Sequence, residues 1–129
     1  MSDINIDNKA YKKKILLTGG AGYIGSHVAV ALLESGFDIV IADNLSNSSE
    51  ESLSGIREIT GRDFPFYNID ICDKSLLVDL FEREELDAVI HLAGYKAVGD
   101  AVKSPLKYYR NNIASTTSLL EVMDNYGVR

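Results

Sequence analysis

Four glycines in seven positions, Gly19, Gly20, Gly22 and Gly25, begin one residue after the apolar residues 15–17. Glycine weakens a regular helix or strand by roughly 0.5–1 kcal/mol relative to alanine, so such a cluster needs a reason. A strand that ends in a glycine-rich turn and then opens a helix can bind phosphate. The turn lets bare backbone approach the ligand, and the helix N-terminus offers free N–H groups with a partial positive charge. The segment therefore predicts a pyrophosphate site.

Two registers fit these glycines. Gly20, Gly22 and Gly25 match G-x-G-x-x-G, whereas Gly19, Gly22 and Gly25, with Thr18 in front, match the wider T-G-x-x-G-x-x-G. In both, one glycine serves the tight turn, one lets the pyrophosphate approach, and one packs the helix closely on the strand. The residues alone leave the choice open.

Asp43 ends the second predicted strand and stands 18 residues after Gly25. This is near the offset of about 20 at which dinucleotide-binding folds place an acid for the adenosine ribose. A carboxylate accepts hydrogen bonds from both ribose hydroxyls, and it repels a 2′-phosphate about 4 Å away by roughly 1–4 kcal/mol. No arginine follows within the next ten residues to reverse this preference. The pattern favours NAD over NADP.

The elements that must position these residues alternate along the chain. Apolar runs predict strands at 14–18, 37–43, 65–70 and 86–94, and the last run predicts burial on both faces of its strand. Helices are predicted at 22–36, at 48–60, after Asp73 and after Ser104-Pro105. The predicted fold class is α/β, a truncated Rossmann fold with a parallel sheet in strand order 3-2-1-4 and flanking helices. Ligand is expected at the carboxyl ends of strands 1 and 4, where the strand order switches.

Helix caps and apolar stripes are predicted from local spacing. Ser48 with Glu51 has the spacing of a capping box, and Asp73 and Gly36 stand where an N-cap and a C-cap are expected. Apolar stripes predict the buried helix faces. They comprise Ile24, Val28, Ala31 and Leu32 in the first helix, Leu76, Leu77, Leu80 and Phe81 in the third, and Leu106, Tyr109, Ile113, Leu120 and Met123 in the last.

Composition excludes several classes of partner. The 129 residues carry a net charge of −6 with a pI near 4.8, which disfavours nucleic acid or an anionic membrane as partner. The longest apolar run, at 28–33, is too short to cross a bilayer, and the first residues lack the apolar stretch of a signal peptide. Cys72 is the single cysteine, and no spacing indicates a metal site. We expect a cytoplasmic chain with a flexible tail at 1–13 and one NAD-binding domain at 14–129.

The segment HLAGYKAVGDAVKSPLKYYRNN at 91–112, together with TGGAGYIGSH and DNLSNS, closely resembles the UDP-glucose 4-epimerases, also called UDP-galactose 4-epimerases. These are extended short-chain dehydrogenases/reductases, and the resemblance covers residues 14–129. It implies an NAD-dependent isomerase of galactose metabolism that interconverts two UDP-hexoses through a transient 4-keto intermediate. Two alternatives stay open: another NAD-dependent sugar-nucleotide epimerase or dehydratase, and a non-catalytic dinucleotide-sensing module.

The resemblance also implies roles for individual residues. Tyr23 and Ile24 would present backbone to the pyrophosphate, and Asp43, Asn44, Asn47 and Ser48 would line the adenosine ribose. Asp70 and Ile71 would read the adenine edge, and Leu92, Ala93 and Gly94 would pass beneath the cofactor. Lys96 and Asn111 would contact its ribose or phosphate groups. His27, His91 and Cys72 are expected to be structural, with His91 a hydrogen-bonded core histidine.

The sequence departs from this family in one respect. Its chemistry depends on a Tyr-x-x-x-Lys pair, and none of the seven tyrosines has a lysine four positions later. We therefore assign no catalytic residue, and we expect an N-terminal fragment that ends before strand 5 and is inactive alone. UDP-hexose would bind only to the full-length enzyme. An uncovered edge at strand 4 and an uncovered last helix predict a homo-oligomer.

Overall fold

The computed structural model describes residues 12–94 and 102–129. Within these ranges the elements run β1 (Lys14–Thr18), α1 (Tyr23–Glu34), β2 (Asp38–Ala42), α2 (Glu50–Thr60), β3 (Phe66–Tyr67), α3 (Lys74–Arg83), β4 (Ala88–His91) and α4 (Pro105–Tyr126). The predicted alternation is confirmed. The third strand is only two residues long, and most of the predicted tail lies outside the described residues.

The strands form one parallel sheet in the order β3-β2-β1-β4, as predicted. β1 pairs with β2 from Lys14↔Asp38 to Thr18↔Ala42, and with β4 from Ile15↔Ala88 to Thr18↔His91. This register brings Thr18, Ala42 and His91 to one edge of the sheet. The residues that follow these three strands therefore meet at the switch point between β1 and β4.

Alternating residues of the central strands divide the core between the two faces of the sheet. Leu16 and Val40 pack against α3 and α4, whereas Leu17, Ile39 and Ile41 pack against α1 and α2. All five are buried, as expected for parallel strands covered on both faces. The sheet is thus fixed by apolar layers on both sides, which makes it a rigid base for the loops at its carboxyl end.

β4 differs from this pattern, because the predicted burial on both its faces is only partial. Val89 packs against the core on one face and Ile90 against the core on the other, but Ala88–His91 are all half-buried, and among the described strands β4 has a sheet neighbour on one side only. On its other side the N–H of Val89 donates to the carbonyl of Arg129.

The predicted buried stripe of α1 was only half right. Val28 and Leu32 are partly buried against the core, but Ile24 and Ala31 are exposed, and the fully buried positions are Gly25, Ala29 and Leu33, which recur every four residues. α1 lies so close to the β1–α1 loop that only small side chains fit near its start. The inward face is therefore set by side-chain size.

The predicted stripe of the last helix was wrong at four of its five positions. Leu106, Tyr109, Ile113 and Leu120 are between 48% and 73% exposed, whereas Met123 is partly buried and packs against the core. α4 packs inward through Ser115, Leu119 and Val122. In α3 the prediction was nearly right, since Leu77, Leu80 and Phe81 are buried, whereas Leu76 is exposed.

A side-chain cap predicted from the sequence forms only where no other contact takes the capping side chain. Asp73 caps α3 by accepting hydrogen bonds from the N–H groups of Ser75 and Leu76, as predicted. The capping box at Ser48 was wrong: α2 begins at Glu50 after Ser49, and the Ser48 hydroxyl donates to the carboxylate of Asp43 instead.

Candidate cofactor-binding groove

A groove opens at the carboxyl ends of β1, β2 and β4. It is lined by the glycine loop (Gly19, Gly22), the loop after β2 (Ala42, Asp43, Asn44, Ser46, Asn47, Ser48), the loop after β3 (Ile69, Asp70, Ile71), the loop after β4 (Ala93, Gly94) and α4 (Asn111, Ser115). Its location is the predicted one. The described lining contains two carboxylates and neither lysine nor arginine, which makes this part of the groove a poor match for a 2′-phosphate.

The glycine loop uses the wider of the two registers. Gly19 has φ +72°, and a Cβ there would lie 2.7 Å from the backbone nitrogen of Ala93. Gly22 lines the groove and precedes α1, and a Cβ on Gly25 would lie 2.1 Å from the carbonyl oxygen of Gly19. Gly20 instead faces the core beside Ile41. Gly19, Gly22 and Gly25 thus serve the turn, the groove surface and the close packing of the helix.

The start of α1 suits an anion. Gly22 is the N-cap, no side chain caps the helix, and its first turn holds no acidic residue. The first N–H groups of a helix have no partner within it, and the helix dipole adds about half a positive charge there.

Asp43 connects the glycine loop to the loop after β2. Its Oδ2 accepts a hydrogen bond from the N–H of Ala21 at 3.1 Å, and its Oδ1 accepts from the N–H of Leu45 at 2.8 Å and from the Ser48 hydroxyl at 3.2 Å. Leu45 takes an uncommon positive φ of 60°, which its bond to Asp43 helps to hold. The carboxylate is therefore oriented at the groove edge by three donors.

At the far end of the groove, Asp70 is exposed and accepts from the N–H of Cys72 at 2.9 Å, while Ile71 is buried. The Cys72 thiol lies 3.8 Å from the carbonyl oxygen of Asn111. Burial, followed by the charge of Asp70, raises the pKa of the Cys72 thiol to about 11. The thiol is therefore protonated at neutral pH, in line with the inert role predicted for it.

This raised pKa predicts slow alkylation of Cys72. At pH 8 it should react with iodoacetamide about 10- to 30-fold more slowly than a free cysteine, because its smaller thiolate fraction outweighs the higher nucleophilicity of a more basic thiolate. The rate should keep rising beyond pH 9. Mass spectrometry can follow the reaction, with Ser54→Cys in a Cys72→Ser background as the exposed control. A rate for Cys72 that levels off below pH 9 would contradict the prediction.

The structure brings most of the predicted site residues together. Gly19, Gly22, Asp43, Asn44, Asn47, Ser48, Asp70, Ile71, Ala93, Gly94 and Asn111 all line the groove. Tyr23 and Ile24 lie beside it, 83% and 56% exposed, in the first turn of α1, where a helix leaves its backbone N–H groups without an intrahelical partner. Gly25 and Leu92 pack behind the lining. Lys96 lies outside the described residues.

Sequence reasoning missed Ala42, Ser46, Ile69 and Ser115 in the lining. Ser115 stands four residues after Asn111, one turn along the same helix face, and this spacing could have identified it. Ser46 lies between Asn44 and Asn47, which were both assigned to the ribose, and this position could have indicated it. Ile69 carries no chemical signal in the sequence.

Other kinds of site find no support in the part of the chain that the structure describes. There, no three histidine, cysteine, aspartate or glutamate side chains are grouped so that they could hold a metal ion. None of the helices described above is long and apolar enough to cross a membrane.

Residues 15–129 match the family model described as the NAD dependent epimerase/dehydratase family. The chain belongs to this family. As an NAD dependent epimerase/dehydratase family member, it is 56% identical over 115 residues to the UDP-glucose 4-epimerase of Bacillus subtilis, and 50% identical over 116 residues to that of Dictyostelium discoideum. These alignments cover 89% and 90% of this chain but 34% of each relative. The chain thus spans about a third of the length of the curated relatives it matches.

Solved structures of the same family have this fold. The UDP-glucose 4-epimerase of Bifidobacterium longum, in complex with NAD+ and UDP, matches with a TM-score of 0.88 and 42% identity over 91% of this chain and 35% of that one. The enzyme of Brucella ovis in complex with NAD matches with a TM-score of 0.80 and 38% identity over 91% of this chain and 34% of that one. NAD is the cofactor of this family.

Proposed function

We propose that this chain is the NAD-binding part of a UDP-glucose 4-epimerase, which interconverts UDP-glucose and UDP-galactose. The observation that carries the proposal is the Asp43 carboxylate, held at the groove edge by a hydrogen bond from the glycine loop. This contact supports a ribose acceptor next to a pyrophosphate site, the arrangement that an adenine dinucleotide requires. The relatives at 50–56% identity support the choice of reaction.

The groove residues divide the cofactor between them. The glycine loop and the N-terminus of α1, with the backbone of Tyr23 and Ile24, would receive the pyrophosphate. Asp43, Asn44, Asn47 and Ser48 would bind the adenosine ribose, and Asp70 and Ile71 the adenine edge. Leu92, Ala93 and Gly94 would form the floor, and Asn111 with Lys96 would contact ribose or phosphate groups.

In the proposed reaction, which passes through a 4-keto sugar, the cofactor would supply the hydride chemistry. The role of this chain in that reaction is to bind and orient the dinucleotide. The acid–base pair of the reaction, Tyr-x-x-x-Lys, is not in this sequence, so it would have to come from outside these 129 residues. The same holds for binding of the UDP-hexose.

We also propose that the protein forms a homo-oligomer and is cytoplasmic. The exposed apolar side chains of α4 support the homo-oligomer, because solvent-exposed apolar surface favours association with another chain; they include Leu106, Tyr109 and Ile113. A single cysteine, which cannot form an internal disulfide, suits a reducing compartment.

The proposal predicts that the 129-residue chain binds NAD and discriminates against NADP. Calorimetric titration should give one NAD per chain, with NADP bound at least about fivefold more weakly, because its 2′-phosphate would meet Asp43. AMP and 2′-phospho-AMP are matched probes that test the adenosine end alone. The proposal fails if NAD does not bind, or if NADP binds as tightly as NAD.

A further inference from the structure

A hydrogen-bonded chain of side chains lies directly behind the groove floor. Thr18, at the end of β1, is fully buried, and its hydroxyl oxygen lies 3.1 Å from the N–H of Leu92, 3.2 Å from that of Ala93 and 2.6 Å from Nδ1 of His91. On the other side of the ring, Nε2 of His91 lies 3.2 Å from the hydroxyl of Thr116 on α4. The Thr116 hydroxyl in turn lies 2.9 Å from the carbonyl oxygen of Asn112.

These contacts indicate the direction of donation. A carbonyl oxygen only accepts, so Thr116 donates to Asn112 and accepts from Nε2 of His91. Backbone N–H groups only donate, so the Thr18 hydroxyl oxygen accepts from Ala93 and shares the N–H of Leu92 with the Thr18 carbonyl oxygen, 3.0 Å away. The Thr18 hydroxyl can then donate its own proton to Nδ1 of His91. The contacts of both ring nitrogens thus fit a neutral imidazole with its proton on Nε2.

This chain of bonds connects two walls of the groove. At one end it holds the N–H groups of Leu92 and Ala93, and Ala93 and Gly94 form part of the groove floor. At the other end it holds α4, which contributes Asn111 and Ser115 to the lining. The floor and the helix also fit closely here, since a Cβ on Gly94 would lie 2.8 Å from Oδ1 of Asn112. Neither His91 nor Thr116 lines the groove.

We propose that His91 and Thr116 are positioning residues for NAD: the neutral Nε2–H imidazole of His91 fixes the groove floor against α4 and so sets the affinity for the dinucleotide. The choice of ligand rests on the proposed function. The hydrogen bonds between these side chains do not depend on that function, because they all join residues of the protein itself.

The first arm of the test compares three variants on α4. Thr116→Val keeps the shape of the side chain but removes its hydroxyl, and it should weaken NAD binding by about three- to tenfold, the effect of losing one buried hydrogen bond. Thr116→Ser restores the hydroxyl and should bind within about twofold of the wild type. Thr117→Val is the matched control, because Thr117 is exposed and its hydroxyl bonds only within the helix, to the carbonyl of Ile113.

The second arm reads the proton position directly, without NAD. A long-range proton–nitrogen NMR spectrum of the wild-type chain at neutral pH should show Nδ1 of His91 unprotonated and Nε2 protonated. The chain has only two histidines, so His27→Gln completes the assignment. In Thr116→Val the Nε2 resonance of His91 should shift, whereas Thr117→Val should leave it unchanged.

The outcomes separate this proposal from the proposed function. A charged His91, or one protonated on Nδ1, overturns the proposal whatever NAD does. So does NAD affinity in Thr116→Val equal to that of the wild type. If the wild-type protein does not bind NAD, the proposed function and the affinity arm fail together. The NMR spectrum still shows whether His91 is neutral with its proton on Nε2. If Thr116→Val does not fold, the wild-type spectrum and the Thr116→Ser affinity decide.

Discussion

Replacing Gly25 with alanine should lower the free energy of unfolding by about 3 kcal/mol or more, the upper range for forcing a methyl group into a packed interior. The added Cβ would lie 2.1 Å from the carbonyl oxygen of Gly19 and 2.8 Å from Cα of Gly20. Both are backbone atoms of the glycine loop, so no flexible side chain can move aside. The helix would have to retreat from the loop, and the groove would deform with it.

Gly55→Ala is the matched control for this substitution. Gly55 also lies inside a helix, α2, but a Cβ there would meet nothing within 4 Å. Alanine should stabilise the chain by up to about 1 kcal/mol at that position, because it has the higher helix propensity. Urea unfolding followed by circular dichroism measures both variants. Equal stability of Gly25→Ala and the wild type would mean that the close approach of α1 to the loop is wrong.

Asp43→Ala should weaken NAD binding by about 10- to 100-fold, because a charged acceptor of hydrogen bonds contributes roughly 1.5–3 kcal/mol. The affinity for NADP should fall much less, because its 2′-phosphate no longer meets a carboxylate. The difference between the affinities for NAD and NADP should therefore become smaller. The variant also removes the partner of Ala21 and Ser48. Parallel titrations with NAD and NADP measure both effects.

Asp79→Ala is a control for the change in net charge. Asp79 lies exposed on α3, away from the groove, where it pairs with Arg83. Its loss should leave both affinities unchanged, because a surface ion pair contributes at most about 1 kcal/mol to stability. Asp43→Asn keeps one oxygen acceptor and should lie between the wild type and Asp43→Ala. Unchanged NAD affinity in folded Asp43→Ala would remove the ribose assignment.

The sheet and most of the groove could be predicted because their signals are local. Strand runs alternate with helical spacing, which indicates a parallel sheet, and parallel strands bring their carboxyl ends to one edge. The glycine loop after β1 and Asp43 after β2 had to meet there. In addition, Gly19 and Gly25 have backbone environments that other residues could not occupy without strain, so glycine at these positions is informative by itself.

The inward faces of α1 and α4 could not be predicted from hydrophobicity. α1 turns Gly25 inward because the loop lies too close for a larger side chain, and α4 buries Ser115 while Ile113 stays exposed. Apolar spacing identifies an apolar face of a helix but not whether the rest of the chain covers it. Likewise, the capping spacing at Ser48 held no sign that Asp43 would bind its hydroxyl. In each case a contact between distant segments outweighed a local preference.

The double role of Asp43 limits how this groove could be redesigned. The carboxylate that would choose between two cofactors also holds the backbone of Ala21 in place. An engineer who wants the phosphorylated cofactor cannot simply exchange this side chain for a cation, because the loop that receives the pyrophosphate would lose an anchor in the same step. A successful redesign would need a neutral oxygen at position 43 and a positive charge introduced nearby, for example on the segment 44–48.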